Sequence, residues 1–348
     1  MFVKKYISSV LSLLLLLIIS INAQAIMQFV REGLIICYKS IIPSLYVFMV
    51  LANYISQGNI MFFSLPLWWY SYLMKIKDKR YSAYLLLSLI GGFAVGANFI
   101  KKLEQSGYEQ NALDVISVSM INNSFSFCLF AVGIGYLGNP RLGIMLFTAL
   151  TCASLITAFV LSFFIEYNIV SSCIHTENSQ KNFVFAVNSA VQSILSICGF
   201  VIIFYCVCEV ISLYVYEYEI LSIVSSIIME VTSGCIKIIN IYGKNIYLLC
   251  ICLSFLPVST LCQVYYFTKN KGIISTLVIS RLIHTPLSLL ILSLLINIFP
   301  VAAAAGSMIS LKIKAFQNSA EISSTMFLLT ILFLTITDHS RLFTKNKF

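Results

Sequence analysis

The stretch Ser88-Leu-Ile-Gly-Gly-Phe-Ala-Val-Gly-Ala97 has a weaker counterpart in Ser226-Ile-Ile-Met-Glu-Val-Thr-Ser-Gly-Cys235. Laid side by side, Ser88 falls on Ser226, Ile90 on Ile228 and Gly96 on Gly234, with apolar residues between and a small residue after the last glycine. Upstream, Lys39-Ser-Ile-Ile42 parallels Gln192-Ser-Ile-Leu195. Downstream, each stretch leads through a polar loop into an apolar segment interrupted midway, by Asn122-Asn-Ser124 in one half and by Pro257 with Ser259 and Thr260 in the other. Two related halves, each with a glycine-interrupted short apolar segment in a corresponding place, form the sequence pattern of a transporter-like membrane protein whose site lies where the halves meet.

Composition agrees. The 348 residues are 59% hydrophobic and only 10% charged, whereas a soluble domain carries about a quarter charged residues. A net charge of +9 suggests nucleic-acid binding in a soluble protein. Here the basic residues gather in short loops, at Lys75, Lys77, Lys79 and Arg80, at Lys101 and Lys102, at Lys269 and Lys271, and at Arg341, Lys345 and Lys347. That is the footprint of the positive-inside rule, so a lipid bilayer is the expected partner and nucleic acid is not. The 11 cysteines include no Cys-x-x-Cys pair. Cys206/Cys208 and Cys250/Cys252 are two apart and face different ways on a helix, so they read as packing residues rather than as a metal or redox site.

Walking the chain, Lys4 and Lys5 followed by residues 7–21 read as an uncleaved first span, with a signal peptide as the alternative. A span over 34–56 carries Lys39 and Pro43, and residues 60–74, ending in Trp68, Trp69, Tyr70 and Tyr72, read as an interfacial helix. If residues 82–99 crossed the bilayer completely, Lys101 and Lys102 would face away from the cluster at 75–80. Entering and returning keeps both clusters cytoplasmic. Spans over 112–137, 141–166 and 183–215 follow, then a second re-entrant segment over 219–236, spans over 246–268 and 272–299, and a last span over 322–337. The expectation is an all-α polytopic membrane protein of about eight transmembrane helices plus two re-entrant segments. Each repeat holds three spans, an odd number, so the repeats are inverted and both termini are cytoplasmic. The expected divisions are a transmembrane or signal-anchor segment at 1–29, a first repeat at 30–167, a second at 181–299, and a C-terminal span with a basic tail at 300–348. Lys237, Lys244, Lys312 and Lys314 are left on the outer side as exceptions.

Glycines at Gly92 and Gly96 allow tight turns that free backbone groups for a ligand, although Gly92-x-x-x-Gly96 is also a helix-packing pattern. Asn122, Asn123, Ser124 and Ser126 put a polar cluster in the middle of an apolar segment, which favours a water-lined cavity. Glu230, beside Thr232, Ser233 and Gly234, is an intramembrane acid and so a functional candidate; an ion pair with Arg281 is the structural alternative. Arg281 and His284 share a helical face and suit a carboxylate or a phosphate, and His284 titrates near neutral pH in its ordinary state. Against this, Arg281 lies within snorkelling reach of the interface at Lys271. Ser259 and Gln263 add an amide contact in the second half. Hydrolase, zinc-protease and Walker motifs are absent from the sequence, as is a pair of intramembrane aspartates, so neither an enzyme nor an ATP-driven pump is expected, and no cofactor.

Taken in order, Ile42-Pro-Ser-Leu-Tyr-Val-Phe48, Gly92-Phe-Ala-Val-Gly-Ala97, Asn122-Asn-Ser124, Met229-Glu-Val-Thr-Ser-Gly234, Ser259 with Gln263, and Arg281-Leu-Ile-His284 resemble the sporulation integral membrane proteins of endospore-forming bacteria, which carry the nucleoside-recognition, or Gate, domain. The resemblance covers residues 30–300. It implies a role in spore formation, in the membrane that encloses the forespore, and passage of a small anion, dipicolinic acid, from mother cell toward spore. Departures from the family pattern are Phe93, Ala94 and Asn98 in place of tyrosine, proline and lysine, Phe125 and Ser126 in place of glycine and proline, and Leu256, Pro257 and Val258 in place of glycine, glycine and leucine in the second-half motif. Two alternatives stand beside this reading: a non-transporting membrane scaffold that recruits or stabilises other sporulation proteins, and a nucleoside carrier, which the Gate relationship alone suggests.

Overall fold

The structure is a computed structural model describing residues 22–58, 60–76, 78–167, 182–215 and 218–299. Among these residues every regular element is helical. Helix α1, Ala23–Ser56, is continuous for 34 residues. Its middle, Cys37–Ile41, widens into a π turn, because Pro43 lacks the N–H that would meet the carbonyl four residues earlier. The expected boundary at residue 30 lies inside this helix. A 3-10 segment, Ile60–Leu67, leads into the short α2, Trp68–Leu73, whose Trp68, Trp69 and Tyr72 are exposed. Tyr70 faces inward and donates to the Leu155 carbonyl at 2.9 Å.

Two helices then meet at a sharp bend: α3, Lys79–Gly91, and α4, Phe93–Gln105. Gly92 stands between them at φ 83° and ψ −172°, a conformation used essentially by glycine alone, which costs a residue with a Cβ about 1–3 kcal/mol. The arms fold back on each other. A Cβ built on Gly96 would lie 3.3 Å from the Ser88 Cβ, whereas eight residues of straight helix span about 12 Å. Next come α5, Gln110–Met120, and, after an irregular turn, the π-helical α6, Phe127–Tyr136. The expected span over 112–137 is therefore two pieces. Helix α7, Pro140–Leu161, closes this half.

The second half repeats the order. Helix α8, Phe183–Tyr214, precedes α9, Glu219–Met229, and α10, Val231–Tyr242, which bend at Glu230. They also fold back, since a Cβ on Gly234 would lie 3.2 Å from the Ile227 Cα. Then follow α11, Ile246–Ser254, α12, Val258–Thr268, and the long α13, Lys271–Ile298. The bend bonds match residue for residue: Gly92 N to Ser88 O and Gly96 N to Gly92 O in one half, Glu230 N to Ser226 O and Gly234 N to Glu230 O in the other. Equivalent outer helices pack across the halves, α1 on α8 and α7 on α13. Among the described residues five helical stretches, α1, α7, α8, the α11–α12 pair and α13, are long and apolar enough to cross a bilayer, which fits an integral membrane protein. The expected spans over 7–21 and 322–337 lie outside the described residues.

One exception to the charge rule has a local cause. Lys237 sits 3.2 Å from the Glu209 carboxylate and donates to Ser222, so its charge is neutralised where it stands.

Candidate functional site at the two bends

The broken helices explain where the central side chains go. Pro257 has no N–H for the Leu253 carbonyl four residues back, and Asn123, from the other half, donates to that carbonyl at 2.7 Å. The reciprocal bond runs from Arg281 Nη2 to the Ile121 carbonyl, at the start of the first half's broken turn, at 3.2 Å. Each half thus closes the other's broken helix. Asn122 stays local and donates to the Ser119 carbonyl at 2.9 Å. Ser124 restarts the chain by accepting from Phe127 N at 3.0 Å, in the manner of an N-cap.

Arg281 and His284 are both buried. Arg281 Nη1 and His284 Nδ1 are 3.1 Å apart, and His284 Nε2 is 3.1 Å from the Leu150 carbonyl. A guanidinium only donates, so Nδ1 accepts, Nε2 carries the proton, and the ring is neutral. His284 therefore orients Arg281, with both ring nitrogens committed. Arg281 Nε has no partner. The snorkelling position considered for Arg281 is not adopted, and no Arg281–Glu230 ion pair forms. Instead the Glu230 carboxylate folds onto its own helix, accepting from Ser233 N at 2.6 Å and from Ser233 Oγ at 3.1 Å. It caps α10, and the positive end of that helix favours the charge.

Two small adjoining cavities lie between the bends. One, of about 30 Å³, is bordered by Gly92, Asn123, Ser124, Glu230, Thr260 and Gln263. The other, of about 10 Å³, is bordered by Asn122, Asn123, Thr260, Arg281 and His284. Phe93, Asn123 and Thr260 belong to both. Together the cavities have room for a few waters. Gln263, which borders the larger cavity, donates to Ser259 at 3.1 Å, while its amide oxygen is enclosed and without a partner.

Eight of the twelve candidate residues thus border the cavities. Ser259 stands behind Gln263, and Ser233 serves Glu230. Gly96 and Gly234 pack: an added Cβ would lie 2.4 Å from the Met120 carbonyl oxygen at Gly96, and 2.6 Å from Cys252 Sγ at Gly234. Phe93 and Thr260 were not candidates. Thr260 could have been found, since it lies three residues before Gln263 on one helical face; Phe93 carries no such signal.

The paired cavities carry opposite characters on their two sides, with Gly92, Glu230 and Gln263 bordering the larger one and Arg281 the smaller. On one side α4 begins at Gly92 with no side-chain cap, and Arg281 offers an unused donor. On the other side stand a carboxylate and an unpaired amide oxygen. Comparison of the chain with protein-family models, with curated proteins and with solved structures finds no match.

Proposed function

We propose that this chain is a carrier in the bacterial cell membrane, built from two inverted repeats with re-entrant hairpins, that moves a small anion across the bilayer. The observation that carries the reading is the unequal capping of two equivalent helix starts. At α10 a carboxylate from the chain itself, Glu230, occupies the cap. At α4 the equivalent residue is Gly92, which leaves the helix start bare beside a cavity. A ligand carboxylate supplies at α4 what Glu230 supplies at α10, since helix starts bind anions. The free Arg281 Nε next door offers a second donor to a dicarboxylate.

The resemblance names the leading substrate as dipicolinic acid and the setting as the outer forespore membrane, and the distribution of basic loops puts both termini on the cytoplasmic side. The chain has no catalytic role in this reading. Cavities this small do not hold a pyridine ring, so this is a closed state and the hairpins part to load, as alternating access requires. Other sporulation membrane proteins are the partners the resemblance adds.

The test is the dipicolinate content of spores and mother cells, read by lanthanide luminescence, with and without this gene. Dipicolinate stranded in the mother cell is the expected result; normally filled spores remove this substrate. Arg281→Gln should abolish passage beyond any fall in abundance caused by losing the donor to the Ile121 carbonyl, and a loss of passage no larger than that fall would make Arg281 structural only. Competition by nucleosides rather than by pyridine dicarboxylates would identify a nucleoside carrier, which the acceptor side of the cavity also suits.

A further inference from the structure

An anion cannot settle beside Glu230 unless something offsets that charge. The carboxylate is 1% exposed, and no cation among the described residues faces it. Lys237 of the same helix is taken by Glu209, and Arg281 is turned to Ile121 and His284 across the second cavity. Gln263 borders the same cavity, and its amide oxygen, on a residue 2% exposed, has no donor. The nearby side-chain atoms that accept are all oxygens, from Glu230, Gln263, Asn123, Thr232 and Thr260. Oxygen donors suit a hard cation. A single carboxylate matches a single positive charge, and no group of three ionisable metal ligands occurs among the described residues, which sets divalent ions aside. A cavity of about 30 Å³ admits an ion the size of a water molecule.

We propose that the larger cavity, which both bends border, binds an alkali cation on its second-bend side, between the Glu230 carboxylate and the Gln263 amide oxygen, and that this ion is coupled to anion passage. The inference rests on the carrier reading for its second half only. Cation first, anion second is the order it sets: the ion neutralises Glu230, and the bare helix start at Gly92 then accepts a carboxylate a short distance away.

The experiment uses the full chain in nanodiscs of neutral lipid. Its thermal unfolding midpoint is followed as sodium chloride replaces choline chloride at constant ionic strength. Wild type should rise saturably with sodium, because a ligand that binds only the folded state stabilises it. Gln263→Leu should raise the half-saturating sodium concentration about tenfold, the effect of losing about 1.4 kcal/mol of binding. Glu230→Gln should remove the response, and Arg281→Gln should keep it. Sodium and choline acting alike on wild type would overturn the proposal, as would equal responses in wild type and Gln263→Leu, or a response to pH alone. If sodium stabilises the protein but no dipicolinate moves, the substrate reading falls and this site stands. If dipicolinate moves at the same rate without sodium, the coupling falls.

Discussion

The two bends share one hydrogen-bond register and differ in the residue at the corner. Gly92 makes its turn with a backbone angle that glycine alone adopts without strain, and leaves the next helix start open. Glu230 makes its turn in extended conformation and covers the next helix start with its own side chain. The lesson is that two bends of one hydrogen-bond register can leave one helix start uncapped and cover the other, so matching backbone geometry need not give matching chemistry. The packing behind the bends differs as well. Gly96 presses on a backbone carbonyl and Gly234 on a thiol.

This comparison can be broken most strongly at the packing glycines. Gly96→Ala should cost more than about 3 kcal/mol, since the Met120 backbone cannot retreat, and folded protein should be lost in size-exclusion profiles. Gly234→Ala should cost about 1–3 kcal/mol, and shrinking the thiol in Gly234→Ala/Cys252→Ala should recover most of it. No matching second-site change should rescue Gly96→Ala. Next in size is Asn123→Leu, which leaves the Leu253 carbonyl buried without a donor and should cost about 1–3 kcal/mol in thermal unfolding. Gly92→Ala should cost about 1–3 kcal/mol from backbone strain, with a Cβ only 3.1 Å from the Ser124 Cβ. The smallest effect is expected at the other corner. Glu230→Asp keeps a capping carboxylate and should shift stability by less than about 1 kcal/mol. A Glu230→Asp loss as large as that of Gly92→Ala would erase the contrast between the corners.

Much of this arrangement was legible in the sequence. Glycine, proline and asparagine interrupt apolar runs for reasons local to the backbone, so the alignment of Ser88 with Ser226 already placed Gly92 opposite Glu230. The role of Glu230 was not legible. Asp, Asn, Ser and Thr are the usual caps, and an acid in an apolar run suggests a distant cation before it suggests its own helix. The start of α1 was hidden for a similar reason, because Arg31 and Glu32 look like the edge of a span although the helix runs through them. Nor does spacing reveal that Lys237 of α10 meets Glu209 of α8, a contact made across the bend that separates the two helices.

The exchange of bonds between the broken helices also bears on how the protein is made. The Ile121 carbonyl is inserted long before its partner, since Arg281 lies 160 residues later, and Asn123 reaches the membrane 130 residues ahead of the Leu253 carbonyl it serves. A nascent first half therefore carries one exposed acceptor and one idle donor until the ribosome has delivered α11 and α13. Neither half can be completed as a separate product, and biogenesis ends only when the late helices dock beside the early ones.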